Sequence, residues 1–279
     1  MAEAVLRHEA FRGQPSIVHT LANGDSLRVL LHGAHVVSWV AGGRERLYLS
    51  PASVFDGRSA IRGGVPVCFP QFNMRGSLPK HGFVRNLSWE LDQRVLDDHL
   101  GRLALRLVDG PATRVFWPRA FEARLVVDMS PGVLQLTLAL RNTDTRPWSF
   151  TGALHTYFAV DEIAQVRLEG LQGQPEWDAV ADRHATGTNP LRFEAEFDRV
   201  YHAAREPLRL REAGQALTIA QSPSWAQTVV WNPGRDKILS DLPAGGHARM
   251  LCVEAAQVMH PVPLAPGAMW EGWQRLSVA

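Results

Sequence analysis

The chain has 279 residues, 46% of them hydrophobic and 20% charged, with 29 basic and 28 acidic side chains for a net charge of +1. A chain of this size buries roughly three-quarters of its unfolded surface, so a disordered polymer is excluded, and the balanced charge carries no footprint of a nucleic-acid or anionic-membrane partner. No apolar run reaches the ~18 residues of a spanning helix, and the N-terminal MAEAVLRHEAFRGQ lacks the apolar stretch of a secretory signal. Two cysteines, Cys68 and Cys252, each in an apolar stretch and without a CxxC pair, make no disulfide framework. A cytoplasmic monomer with reduced, buried thiols is expected.

Strand patterns dominate along the chain. Short alternating runs occur at 27–31, 88–95 and 103–108, and the clearest pair follows at 121–129 and 133–141. In the first of that pair Phe121, Ala123, Leu125, Val127 and Met129 share one face; in the second Leu134, Leu136, Leu138 and Leu140 do. Ser130-Pro131-Gly132 between them is a turn, so the two runs predict an antiparallel hairpin. Further runs lie at 208–211, 217–221, 228–231 and 250–253, with 23 glycines and 18 prolines punctuating the chain. Helical patterning is confined to two candidates of one or two turns, 179–185 and 235–242. Without a βαβ alternation, an internal repeat or a long linker, residues 1–279 read as one all-β domain, an antiparallel sandwich or barrel.

The sequence contains no GxxxxGK[ST], GxGxxG, HExxH or GxSxG, which leaves P-loop hydrolysis, dinucleotide redox chemistry and zincin proteolysis without support. His32 and His35 sit close together but no third metal ligand accompanies them, so neither a metal nor a cofactor is expected. The densest chemistry lies in residues 60–86, AIRGGVPVCFPQFNMRGSLPKHGFVRN, where Arg62, Arg75, Lys80, His81 and Arg85 stand among glycines, prolines and aromatics. Paired glycines beside Arg62 permit close backbone approach, and arginine forks suit tetrahedral oxyanions such as phosphate; a solvated basic loop would read the same way. His155 stands in an apolar and aromatic run, LHTYF, and Glu254 at the end of the apolar run MLCVE. A carboxylate so placed is paired, exposed or functional. Asp198, in DRVY, reads equally as a surface ion pair.

Together these segments resemble a known family. GAHVVSW (33–39), AIRGGVPVCFPQF (60–72), LPKHGFVRNLSWEL (78–91), FWP (116–118), ALHTYFAV (153–160), FDRVY (197–201), VVWNPG (229–234) and MLCVEAAQV (250–258) stand in the order found in the hexose-6-phosphate mutarotases, or glucose-6-phosphate 1-epimerases, of the aldose 1-epimerase superfamily. The resemblance implies a β-sandwich of the galactose-mutarotase type and interconversion of the α and β anomers of a hexose 6-phosphate, most naturally glucose 6-phosphate, without metal or cofactor. It further implies Glu254 as the base on the C1 hydroxyl and His155 as the acid on the ring oxygen. His81 and Asp198 would contact the sugar, and Arg62 and Arg85 would grip the phosphate, with Lys80 as a third charge or a solvent-facing one. Trp39, Phe69, Trp89 and Trp231 are read as sugar-facing or core aromatics. The chain departs from the family at Asn73, where relatives commonly carry glycine, in the short loop 73–78, and in the weakly acidic 241–246 segment. Two other readings stay open: an epimerase of unphosphorylated sugar, and a non-catalytic sugar-phosphate-binding protein. A glycosidase is a weaker option, because no second acid accompanies Glu254.

Overall fold

The computed structural model describes residues 3–188 and 190–278. Three antiparallel sheets account for nearly all of its regular secondary structure, in agreement with the all-β expectation. The strands Phe121–Ser130 and Val133–Asn142 form the predicted hairpin, with Leu134 opposite Met129, Leu136 opposite Val127, Leu138 opposite Leu125 and Leu140 opposite Ala123. Directly opposed residues point to the same face, and all eight of these side chains are buried. Each of the leucines, taken out of water, contributes roughly 1.5–3 kcal/mol.

That hairpin is the middle of an eight-stranded sheet ordered Arg167–Glu169, Leu208–Glu212, Gln215–Gln221, Met269–Val278, Val133–Asn142, Phe121–Ser130, Gly101–Val108, Glu90–Leu96. A second eight-stranded sheet runs Arg183–Thr186, Pro175–Asp178, Phe197–His202, Gln227–Asn232, Met250–Leu264, Trp148–Leu154, Val67–Cys68, and Tyr157–Ala159 pairs with Met250–Leu264 beside this path. The N-terminal strands from Val5–Phe11 to Arg44–Glu45 make a five-stranded meander. One continuous core takes residues from all three, from Ile17 to Leu276. Trp39, Trp89 and Phe69 are buried in it and are core aromatics.

Both predicted helices are corrected. Residues 179–182 are a turn between the strands Pro175–Asp178 and Arg183–Thr186. The Asp178 carboxylate accepts from the N–H groups of Val180 and Ala181, both at 2.9 Å, so an Asp that resembles a helix cap closes a hairpin instead. Residues 235–242 form an irregular loop. Among the described residues the single α-helix is the one-turn Pro111–Arg114. No helix of the described residues is long and apolar enough to cross a membrane. The run expected at 250–253 is longer than predicted: it continues to Leu264, paired on both sides and buried on both faces over most of its length. Double burial replaces alternation with a continuous apolar run, which hides the strand's end.

Candidate active site

Register assembles the site on one face of the second eight-stranded sheet. Asp198 lies opposite Trp231, Trp231 opposite Cys252, and Cys252 opposite Tyr157. These four therefore project to the same side, and Glu254, two residues beyond Cys252, joins them. Val253 and Ala255 alternate to the core side. His155 occupies the break between Trp148–Leu154 and Tyr157–Ala159, pinned by its N–H on Pro66 O at 3.0 Å. The Tyr157 N–H bonds Gly64 O at 2.9 Å. Asp198, Trp231, Tyr157, Glu254 and His155 form the floor of a 350 Å³ cavity, with Cys252 buried beneath it, and the wall includes Arg62, Lys80, His81, Arg85, Lys237 and Asp241.

Two turns bring the wall residues in. Arg62 precedes Gly63 and Gly64, and Gly64 has φ +60°, where a Cβ would sit 2.2 Å from Val36 O. His81 itself adopts φ +64° ahead of Gly82 at φ +71°, where a Cβ would meet Phe69 O at 2.0 Å. Only glycine allows these close backbone approaches. Asn73 also lies in the left-handed region, at φ +48°. Asparagine tolerates the conformation that glycine prefers, so this departure from the family pattern preserves the backbone. The Asn73 N–H donates to His81 Nδ1 at 3.2 Å, and the Cys68 thiol lies 3.4 Å from the same atom. Burial pushes that thiol up to about 12, so it too is a donor. An Nδ1 that accepts leaves the His81 proton on Nε2, and burial, then His155 and the nearby Arg85, Lys80 and Arg62, keep the ring neutral.

The central contact is His155 Nε2 to Glu254 Oε1, 3.3 Å, between two buried side chains. Burial, followed by the charge of Arg85, pushes His155 down to about 3. Burial, with Asp198 adding to it, pushes Glu254 well above the ordinary carboxylate range. Both groups therefore favour their neutral forms, and one proton moved across the contact gives carboxylate and imidazolium. Glu254 Oε2 and His155 Nδ1 are buried without a hydrogen-bond partner. Tyr157 stacks on His155 with ring centroids 4.8 Å apart and planes at 13°. The Arg62 Nη1 donates to the Tyr157 hydroxyl at 3.4 Å, its Nε donates to Asp241 at 2.6 Å, and its guanidinium lies 5.7 Å from the Trp231 ring. The Arg85 Nη2 donates to Lys80 O at 2.8 Å. Arg85, Lys237 and Arg62 all lower the pKa of Lys80, after burial, so these cations share one neighbourhood.

All seven candidates, His155, Glu254, Arg62, His81, Arg85, Asp198 and Lys80, thus line one cavity. Of the aromatics, Trp231 alone of the four lines it. Arg75 is turned away over Trp177, 5.1 Å from the ring. Sequence reasoning missed Tyr157, Lys237 and Asp241. Tyr157 had a signal, because period two from His155 puts both on one face; Lys237 and Asp241 fell within the stretch read as helix. His35 is a strand-end histidine, with Nε2 2.7 Å from Gly63 O. Among the described residues the donor set closest to a metal site is His155, Cys252 and Glu254, with ligand atoms within 4.8 Å of one another. The burial that pushes the Cys252 thiol and the Glu254 carboxyl up opposes the anionic forms a cation would require.

A buried histidine and glutamate in contact on the floor of an open cavity, carried on stacked antiparallel sheets, make an arrangement that can move a proton within a β-sandwich. The aldose 1-epimerase family model matches residues 18–277, and the chain belongs to that family. It is 37% identical, over 95% of its own length and 85% of the other, to a Cenchrus ciliaris protein named "Putative glucose-6-phosphate 1-epimerase". A protein of the same name from Escherichia coli K12 is 36% identical over 81% of this chain and 78% of its own. The crystal structure of a Salmonella typhimurium "putative mutarotase" superposes with a TM-score of 0.91 at 29% identity, covering 99% of this chain and 94% of that one. The protein is an epimerase that interconverts anomers, on the galactose-mutarotase type of sandwich.

Proposed function

We propose that the substrate is a hexose 6-phosphate, with glucose 6-phosphate as the first sugar to test. Glu254 as carboxylate takes the proton of the C1 hydroxyl while His155 as imidazolium protonates the ring oxygen. The C1–O5 bond breaks as the C1 carbonyl forms. Rotation about C1–C2 then presents the other face of the aldehyde, and both protons return along the same paths to close the opposite anomer. No net proton is gained or lost, which suits a pair that exchanges one proton across 3.3 Å. His81 supplies an Nε2–H donor and Asp198 an acceptor toward sugar hydroxyls, and Arg62, Arg85 and Lys80 meet the phosphate.

The observation that carries this reading is the placement of the His155–Glu254 pair in the same cavity as Arg62, Arg85, Lys80 and Lys237. A free sugar has no charge for such a cluster to meet, whereas a phosphate dianion does. The test is mutarotation of freshly dissolved α-glucose 6-phosphate and α-glucose side by side, followed by polarimetry or NMR anomer signals. Faster equilibration of the phosphorylated sugar is expected. Acceleration of free glucose alone would keep the acid–base pair and overturn the phosphate subsite.

A further inference from the structure

The cations assigned to the phosphate also bear on the acid. Arg62 reaches His155 through a chain of contacts, Nη1 to the Tyr157 hydroxyl at 3.4 Å and the Tyr157 ring stacked on the imidazole at 4.8 Å. On the other side the His81 ring packs edge-on at 5.3 Å, and it is a neutral donor. The remaining neighbours are Trp231, with ring centroids 6.3 Å away, and the Glu254 carboxyl on Nε2, with the Cys252 thiol beside it. His155 therefore faces Arg62, Arg85 and Lys80, which all oppose its protonation, while Glu254, Asp198 and Asp241 are the carboxyls of the same cavity, Asp241 being paired with Arg62. Charge of opposite sign seated on those cations cancels their field at the ring. The proton shared with Glu254 then moves toward His155, which is the form that opens the sugar.

We propose that the cationic wall formed by Arg62, Arg85 and Lys80 is an activating anion subsite, so that a separate oxyanion bound there accelerates ring opening of an unphosphorylated hexose in the adjoining sugar subsite. The phosphate then acts in the chemical step as well as in binding, and a free sugar alone meets an acid–base pair resting in its neutral form. This inference rests on the phosphosugar reading above and adds a second activity, anion-dependent mutarotation of free aldoses.

The experiment measures α-glucose mutarotation by NMR at neutral pH and constant ionic strength, replacing chloride by sulfate. Sulfate is a weak base, so its own catalysis in water is small and linear. The enzyme-dependent rate is expected to rise about tenfold or more, the gain in imidazolium that one pKa unit gives, and to saturate. The same sulfate range is expected to inhibit turnover of glucose 6-phosphate competitively. In protein carrying 15N-labelled histidine, the His155 titration moves to higher pH with sulfate, and Arg62→Ala loses the sulfate response. Sulfate that competes with glucose 6-phosphate yet leaves the free-glucose rate unchanged or lower overturns the inference while the phosphosugar function stands. Failure to turn over glucose 6-phosphate at all overturns both.

Discussion

Replacing Glu254 by Gln separates the chemistry of the pair from its packing. Glu254 is 1% exposed, its Oε1 is 3.3 Å from His155 Nε2, and its Oε2 has no partner. Glutamine keeps the volume and an N–H donor for the imidazole Nε2 but cannot take a proton from the C1 hydroxyl. Loss of one general base lowers turnover by ~10²–10⁴, equivalent to about 3–5 kcal/mol of transition-state stabilisation. Stability should move the other way, and the sign follows from the direction of the shift. Burial raises the carboxyl pKa in the folded state, so its contribution is present below the unfolded value and lost as pH rises through the folded one. Glutamine carries no such penalty, and the melting temperature of Glu254→Gln should gain on that of the native protein as pH rises above the ordinary carboxylate range. NMR anomer exchange with the spontaneous rate subtracted, together with thermal unfolding over that rise in pH, reads both quantities. Turnover within a few-fold of the native protein would refute the base assignment. A fall in turnover matched by weaker phosphosugar binding and a pH-independent fall in melting temperature would refute the separation.

Gly82→Ala places a Cβ 2.0 Å from Phe69 O at a φ of +71°, so it should cost at least about 3 kcal/mol; chemical denaturation with an unchanged midpoint would contradict the geometry. His35 is 2% exposed and burial pushes it from 6.5 down to about 4, which corresponds to about 3 kcal/mol of stability lost as pH falls from 6.5 to 4, because the unfolded chain takes the proton first. Urea unfolding of His35→Asn should show a shallower loss over that window, and a slope equal to that of the native protein would show that His35 is not a source of the acid sensitivity.

Much of this protein is legible along the chain. Period-two alternation of leucines at 134–140 needs no partner to announce a strand, since burial on one face of a pleated sheet dictates it. Residue chemistry also shows through: arginines beside paired glycines, a histidine in LHTYF and a carboxylate in MLCVE are costly in an apolar setting unless they serve a purpose. What alternation cannot tell is which strands lie side by side. The row Asp198, Trp231, Cys252, Tyr157 exists only because four strands distant in sequence share a register. The segment 235–242 has local helical patterning, yet Gly234 at φ +68° and the ion pairs Lys237–Glu196 and Arg62–Asp241 hold it as a loop of the cavity wall. Those bonds are long-range, so no window of sequence contains them.

Protonation states belong to the same category. Sequence supplies a His81 of ordinary basicity, and the fold decides its tautomer by aiming the Asn73 N–H at Nδ1. It supplies a histidine and a glutamate ninety-nine positions apart (254 − 155), and the fold buries them in contact, drives both toward neutrality and sets three cations against the imidazole. Residue types are fixed by covalent structure, but desolvation and Coulomb fields depend on what surrounds each group in three dimensions. The sequence determined the strands and the chemical groups available; the tertiary structure alone decided which of those groups meet and which of them hold protons.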